Sequence, residues 1–199
     1  MMSTKVAVLG AGISGMGAAF LAKSKGHEVL ISDAGEIAEE RKKILEQHKI
    51  PFEEKGHNLE NLVACDIIIK SPGIPNDSSI LQALHVMEKE VIGEIEWAYR
   101  NVDGRIIGIT GSNGKTTTTG LCHHFLQSSG INAAKVGNVG EGFCHFLAEH
   151  TADWYVCELS SFQLEDISTF KPVWPFCSIS PRITWTGMII TWTSMRMRR

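Results

Sequence analysis

An α/β fold built on mostly parallel sheets is what this sequence predicts, and three observations predict it. Apolar runs of strand length alternate with longer helix-like segments, the order of βα units. Two strand-to-helix junctions are rich in glycine, at 10–15 and 111–114. The apolar runs, Val6-Ala7-Val8-Leu9 and Ile67-Ile68-Ile69 among them, are continuous, as in strands covered on both faces.

The elements follow in order. A first strand is expected over 5–9, stopped by Gly10, with a helix from about 14 to 25. A second strand over 28–32 ends at Asp33, and a charged helical stretch spans 36–48. The third strand, 66–70, breaks at Ser71-Pro72-Gly73, residues that punctuate a chain. A helix over 77–89 has Asp77 or Ser78 as its N-cap. Val91-Ile92 forms a short strand before Gly93. A second unit opens near Gly104: strand 105–110, loop 111–115, helix 116–129, strand 132–136, helix 142–150, and strand 153–157 ending at Glu158. Residues 100–104 are the expected boundary between the units.

Bulk properties exclude several classes. A chain of 199 residues suits one large domain or two small ones, and 43% hydrophobic with 21% charged residues is ordinary for a globular protein. A net charge of −3 argues against a nucleic-acid binder. The five cysteines (Cys65, Cys122, Cys144, Cys157, Cys177) contain no C-x-x-C pair and are odd in number. That argues against a disulfide framework or a cysteine zinc site and fits a reducing cytoplasm. The apolar run at 6–9 is too short for a signal peptide. Residues 183–195 are too few and too rich in Thr to span a bilayer, so no membrane partner is expected.

The strongest motif is Ile106-Ile-Gly-Ile-Thr-Gly-Ser-Asn-Gly-Lys-Thr-Thr117. An apolar strand runs through Gly111, Ser112, Asn113 and Gly114 into Lys115, Thr116 and Thr117, where a helix begins. Gly111 and Gly114 let backbone N–H groups face a phosphate, and the helix presents its positive end to the same anion. Lys115 can reach terminal phosphates and the Thr116 hydroxyl can ligate Mg²⁺. The general phosphate-loop pattern wants glycine where Ile109 stands.

The other loop, Gly10-Ala-Gly-Ile-Ser-Gly15, fits G-x-G-x-x-G, with Asp33 where a ribose-binding acid would sit. Alone it reads as an NAD or FAD site, or as a structural turn. The adjacent His123 and His124 do not face one another on a helix and are read as ordinary helix residues.

Both loops together resemble the Mur ligases, whose first domain is Rossmann-like and holds the UDP part of the substrate and whose second is a P-loop ATPase domain. Thr110-Gly-Ser-Asn-Gly-Lys-Thr116 looks like the loop of Mur ligases and their folate-synthase relatives. Ser71-Pro72-Gly73-Ile74 looks like the family's uridine-contacting turn, Gly93-Glu94-Ile95-Glu96 like its link into the ATP domain, and Gly137-Asn138-Val139-Gly140 like its substrate loop. Glu158-Leu-Ser-Ser-Phe-Gln-Leu-Glu165 is similar to the member that adds D-glutamate. The resemblance covers residues 5 to about 172.

It implies an ATP-dependent amide ligase of peptidoglycan synthesis, and so of cell-wall formation, cell shape and division. That enzyme joins D-glutamate to UDP-N-acetylmuramoyl-L-alanine through an acyl phosphate, in the cytoplasm, as a monomer when full length. By resemblance, Lys115 binds the β/γ-phosphates and Thr116 and Glu158 hold Mg²⁺. Ile13, Ser14, Asp33 and Gly73 line the uridine pocket, and Asn138, Ser160 and Gln163 contact the sugar and peptide portion. The plain alternatives are a solvated loop carboxylate for Glu158, turn and cap residues for Asn138, Ser160 and Gln163, and a strand-end turn for Asp33. An NAD-binding module or oxidoreductase, and a non-catalytic nucleotide-binding fragment, stand as alternatives for the whole chain.

The implied organisation is a UDP-substrate domain over 1–93, the front of an incomplete ATP-binding domain over 94–172, and an aberrant tail over 173–199. No Asp or Glu follows Asp166, and three of the five tryptophans lie beyond Val173. The family carries Val-Ala-Val-Leu-Leu-Asn-Ile-Thr-Pro-Asp-His here. Plausible codons for its segment, read one nucleotide later, give the string found at 174–188. A frameshift near Val173 is therefore expected, together with an open sheet edge and no ligase turnover from the 199 residues alone.

Overall fold

A computed structural model describes residues 4–178, and the expected α/β class with parallel sheets is observed. Each strand here is parallel to its neighbours. The first unit contains β1 (Lys5–Leu9), α1 (Ile13–Ser24), β2 (Glu28–Ser32), α2 (Glu39–Gln47), β3 (Phe52–Glu53), α3 (Leu59–Val63), β4 (Ile67–Lys70), α4 (Ser79–Val86) and β5 (Glu90–Gly93). Its sheet has the order β3-β2-β1-β4-β5. The chain leaves β1 toward one side and later returns to β4 on the other. That reversal opens a crevice at the C-terminal ends of β1 and β4, where open α/β sheets bind ligands.

The second unit contains α5 (Glu94–Asn101), β6 (Arg105–Gly111), α6 (Lys115–Ser128), β7 (Ala133–Gly137), α7 (Phe143–Glu149), β8 (Trp154–Glu158), α8 (Ser161–Glu165) and β9 (Trp174–Ser178). Its sheet has the order β7-β8-β6-β9. Pro175 lies in β9, which with β7 forms the edges of this sheet among the described residues, where a missing N–H is tolerated. Val173, Trp174 and Phe176 are exposed there. The remainder of the expected 173–199 tail, from 179 on, lies outside the described residues.

The β1 side chains alternate between two cores. Val6 and Val8 join one cluster, while Ala7 and Leu9 join another with Leu62, Ile68, Leu81 and Leu84. The first cluster runs on through Leu21, Ile95 and Trp97 to Val136, Phe143 and Tyr155 of the second unit. Residues 102–104, between α5 and β6, fall in the 100–104 stretch expected as a boundary, and the apolar core is continuous from β1 and α1 to β7, α7 and β8. Helices α1, α5 and α7 fill the space between the sheets. A Cβ on Gly17 would lie 3.0 Å from the His145 backbone nitrogen, which shows how closely α1 approaches α7.

Several details differ from the sequence expectation. Helix 36–48 is shorter, at 39–47, and helix 77–89 spans 79–86. Ser78 is the N-cap of α4, but its hydroxyl makes no capping bond and is buried without a partner. Residues 93–96, expected as a link, lead into a helix over 94–101 whose buried face includes Glu94 and Glu96.

Two ionisable groups therefore lie inside the junction. The Glu96 carboxylate accepts from the backbone N–H groups of Ser168, Thr169 and Phe170, from the Thr169 hydroxyl and from Arg100. Burial pushes against its charge, but these bonds prevail and hold it at about 2. Glu94 accepts the Cys144 N–H, at 3.0 Å, and meets the Cys144 thiol, but burial outweighs both and pushes its carboxyl upward.

Candidate functional site

Two glycine loops stand at the C-terminal edges of the two sheets. In the first, Gly10 turns with φ of +91°, a left-handed conformation that favours glycine. A Cβ on Gly15 would sit 1.9 Å from the Gly10 carbonyl oxygen, so only glycine allows α1 to pack against the turn. A Cβ on Gly12, the N-cap of α1, would meet nothing within 4 Å. These are the three roles a dinucleotide-type loop needs: tight turn, open approach for a phosphate, and close helix packing.

The neighbouring predicted residues cluster around this loop. Asp33 accepts from Ala11 N at 2.6 Å and from Gly35 N at 2.8 Å, so its carboxylate holds the loop and its own strand-end turn. Arg41, not anticipated from sequence, donates to the Ala11 carbonyl at 3.0 Å. Ile13 is 77% exposed at the first turn of α1, and Ser14 is half-buried beside it. Ser71 bonds through its backbone to Leu9 and through its hydroxyl to the Gly10 carbonyl, so the 71–74 turn borders the crevice. Gly73 is exposed, with open space where a Cβ would be.

The second loop follows β6. Gly111 and Gly114 both take positive φ, +138° and +76°, and Gly114 is the N-cap of the 14-residue α6. Ser112, Asn113, Thr116 and Thr117 are exposed at this mouth. Lys115 folds its ammonium back onto the Gly111 carbonyl at 2.7 Å and the Ser112 carbonyl at 3.4 Å, which closes the loop around its own cation.

Glu158 ends β8, the strand beside β6, in register with Ile109 and with Gly137 of β7. Both strands are parallel to β6, so the carboxylate shares the edge from which the loop rises. Its Oε1 accepts from Asn138 Nδ2 at 3.1 Å. Its Oε2 is buried with no partner. An orphaned carboxylate oxygen in the interior is costly unless something completes it. The donor set suits Mg²⁺, a hard cation held by one or two carboxylates plus a hydroxyl and substrate phosphates. Among the described residues no group of three or more His, Cys, Asp or Glu could hold a metal.

Ser160 and Gln163 form the capping box of α8. Gln163 Oε1 accepts from Ser160 N at 2.9 Å, and Ser160 Oγ accepts from Gln163 N at 3.3 Å. Asn138 also donates its backbone N–H to the Glu158 carbonyl, so its visible work is to orient Glu158. The structure thus joins Asn138 to Glu158 and places Ser160 and Gln163 directly after it. Its links to the first loop run through Lys70 and Asp166, which sequence reasoning passed over. His123 bonds the Ala133 carbonyl and His124 lies by Ser128.

The comparisons with known proteins agree with this layout. The MurD N-terminal domain family matches residues 5–80, and the Mur ligase middle domain family matches 109–176. The chain is 46% identical over 167 residues to the UDP-N-acetylmuramoylalanine--D-glutamate ligase of Bacteroides fragilis, covering 84% of this chain and 38% of that protein. Against the Christiangramia forsetii protein of the same name it is 43% identical over 171 residues, covering 86% and 38%. Among solved structures, the UDP-N-acetylmuramate:L-alanyl-gamma-D-glutamyl-meso-diaminopimelate ligase from Neisseria meningitides shares the fold with a TM-score of 0.57 at 16% identity, covering 93% of this chain and 64% of that one. The chain therefore spans 38% of the length of these two curated relatives. With its two units matched in turn by two domains of one family, the chain belongs to the Mur ligases, a MurD N-terminal domain followed by a Mur ligase middle domain.

Proposed function

We propose that this chain carries the UDP-binding unit and the front of the ATP-binding unit of a cytoplasmic ligase that adds D-glutamate to UDP-N-acetylmuramoyl-L-alanine. The buried, unpartnered Oε2 of Glu158, on the same sheet edge as the Gly111–Thr117 loop, carries the reading. The backbone N–H groups of 111–114 and the N-terminus of α6 would receive the ATP phosphates, with Lys115 swinging from the loop carbonyls to the β/γ oxygens. Thr116 and Glu158 would hold Mg²⁺, which when bound draws charge from the phosphate oxygens. Ile13, Ser14, Asp33 and Gly73 would border the uridine nucleotide. Asn138, Ser160 and Gln163 would face the sugar and peptide portion.

In the whole enzyme the substrate carboxylate attacks the γ-phosphorus and ADP leaves. The amine of D-glutamate then attacks the acyl phosphate, phosphate departs and an amide remains. Positioning and charge neutralisation supply most of the rate in such transfers.

The test is a pair of titrations on the 199-residue chain. Binding of a fluorescent ATP analogue that strengthens with Mg²⁺, together with a thermal shift by UDP-N-acetylmuramoyl-L-alanine, is expected. A thermal shift by NADH and none by the UDP-sugar would instead establish a dinucleotide module. That second reading rests on the Gly10–Gly15 geometry, which serves either ligand.

For the frame near Val173, the proposal remains a one-nucleotide shift. Resequencing the DNA across that codon should reopen a frame reading Asn-Ile-Thr-Pro-Asp-His. DNA that reads as given would put the shift in the gene and leave the 199 residues a fragment without ligase turnover.

A further inference from the structure

We propose that the Lys70–Asp166 ion pair is a positioning device that ties occupancy of the first glycine-loop site to the placement of α8 beside Glu158. The inference rests on the reading that the first loop takes a UDP group.

Lys70 is the last residue of β4, in register with Leu9 of β1 and Gly93 of β5. Its ammonium donates to three acceptors: Asp166 Oδ2 at 2.8 Å, Asn76 Oδ1 at 2.8 Å and the Ile74 carbonyl at 3.0 Å. An ammonium has three N–H donors, so this one is fully used. Two acceptors belong to the turn that borders the first crevice. The third belongs to the C-cap residue of α8.

A second contact fixes the same junction, since Gly93 N donates to the Asp166 carbonyl at 3.1 Å. A Cβ on Gly93 would lie 2.8 Å from the Asp166 Cβ, so the end of α8 rests directly on the end of β5. From Asp166 the five-residue helix leads back to the Ser160–Gln163 capping box and to Glu158. A continuous path of bonds thus runs from Gly10 through Ser71, the 71–76 turn and Lys70 to α8.

The pair is almost out of water, with side-chain exposures of 4% and 11%. Such pairs add little stability over an apolar pair of the same shape, so stability alone gives it no purpose. An apolar contact would glue α8 to β4 but would leave the turn free to move separately. The three-way ammonium makes the two segments share one geometry, which is what coupling between two sites requires.

Hydrogen exchange on the 199-residue chain, with UDP as the probe, tests this. UDP is expected to slow exchange at 10–15 and also at 161–166, the latter by about fivefold or more. Lys70→Arg, which keeps the cation, should preserve both effects. Lys70→Met and Asp166→Asn should keep the slowing at 10–15 and lose it at 161–166. A contact of merely structural value would lower the melting temperature in these variants and leave the response of α8 to UDP intact, and that result would overturn the proposal. Slowing at 10–15 without any at 161–166 in the unaltered chain would also overturn it while leaving the UDP reading standing. No effect of UDP anywhere would remove the UDP reading and this inference with it. Should Lys70→Met fail to fold, the comparison of Asp166→Asn with Lys70→Arg decides.

Discussion

Asn138 donates from its side-chain amide to Glu158 Oε1, while Oε2 of the same carboxylate stays buried and unpartnered. The amide fixes the plane of the carboxylate, and one oxygen is left for a cation. Glu158→Gln should therefore abolish the strengthening of ATP binding by Mg²⁺. Asn138→Ala should weaken it by about tenfold, the usual cost of losing a residue that orients a metal ligand. Titration of a fluorescent ATP analogue with and without Mg²⁺ measures both. Equal Mg²⁺ dependence in Glu158→Gln and the unaltered chain would remove Glu158 from the site.

The first loop offers a pair of substitutions with opposite expectations. Gly15→Ala places a Cβ 1.9 Å from the Gly10 carbonyl, an overlap that neighbouring backbone has to relieve. Overpacking of this kind costs about 1–3 kcal/mol or more, so urea midpoints should fall sharply. Gly12→Ala meets nothing within 4 Å, and the fold should keep its midpoint to within about 1 kcal/mol, the ordinary helix-side cost or gain of that exchange. Its new methyl stands where a phosphate would approach, so UDP should no longer shift its melting temperature. A Gly12→Ala variant that binds UDP normally would move the ligand elsewhere.

How much of this was legible in the sequence depends on how local each signal is. Both glycine loops could be read because strand, turn and helix start lie within a dozen residues. Strands β1, β2, β4 and β5 of the first sheet could be read from their apolar runs. Helix α5 escaped because two of its buried residues are Glu94 and Glu96, which look like solvent-facing charge until their partners are known. β3 and α8 escaped because two and five residues are too few to show a period. Asn138 meets Glu158, 20 residues away, only because β7 pairs with β8 in one register. Lys70 meets Asp166 only because the two sheets share a core.

Glu96 gives the chain an acid-sensitive joint. Its carboxyl sits at about 2, below an ordinary value of 4.5, so the charged form is favoured by folding. The stability it contributes is complete above about 4.5 and is lost as pH falls toward 2. Glu96→Ala should cost about 3 kcal/mol or more, because the N–H groups of Ser168, Thr169 and Phe170 lose their acceptor. Glu96→Gln should flatten the fall in urea midpoint between pH 5 and 2. An unchanged acid limb in Glu96→Gln would assign that limb to other carboxylates.

Glu94 works in the opposite sense. Its carboxyl is buried with the Cys144 N–H as partner, and burial raises it above its ordinary value. A raised carboxyl favours the folded state fully below the unfolded value and loses that contribution as pH climbs through the folded one. Gln has the same shape and keeps an oxygen to accept the Cys144 N–H, but carries no proton to lose. Glu94→Gln should therefore melt higher than the unaltered chain at pH 8, with the difference narrowing toward pH 5. Thermal melts across that range decide it. A Gln variant that melts lower at pH 8 would mean that the charged carboxylate is stabilised at this junction, and the α5–α7 contact would have to be rebuilt around an anion.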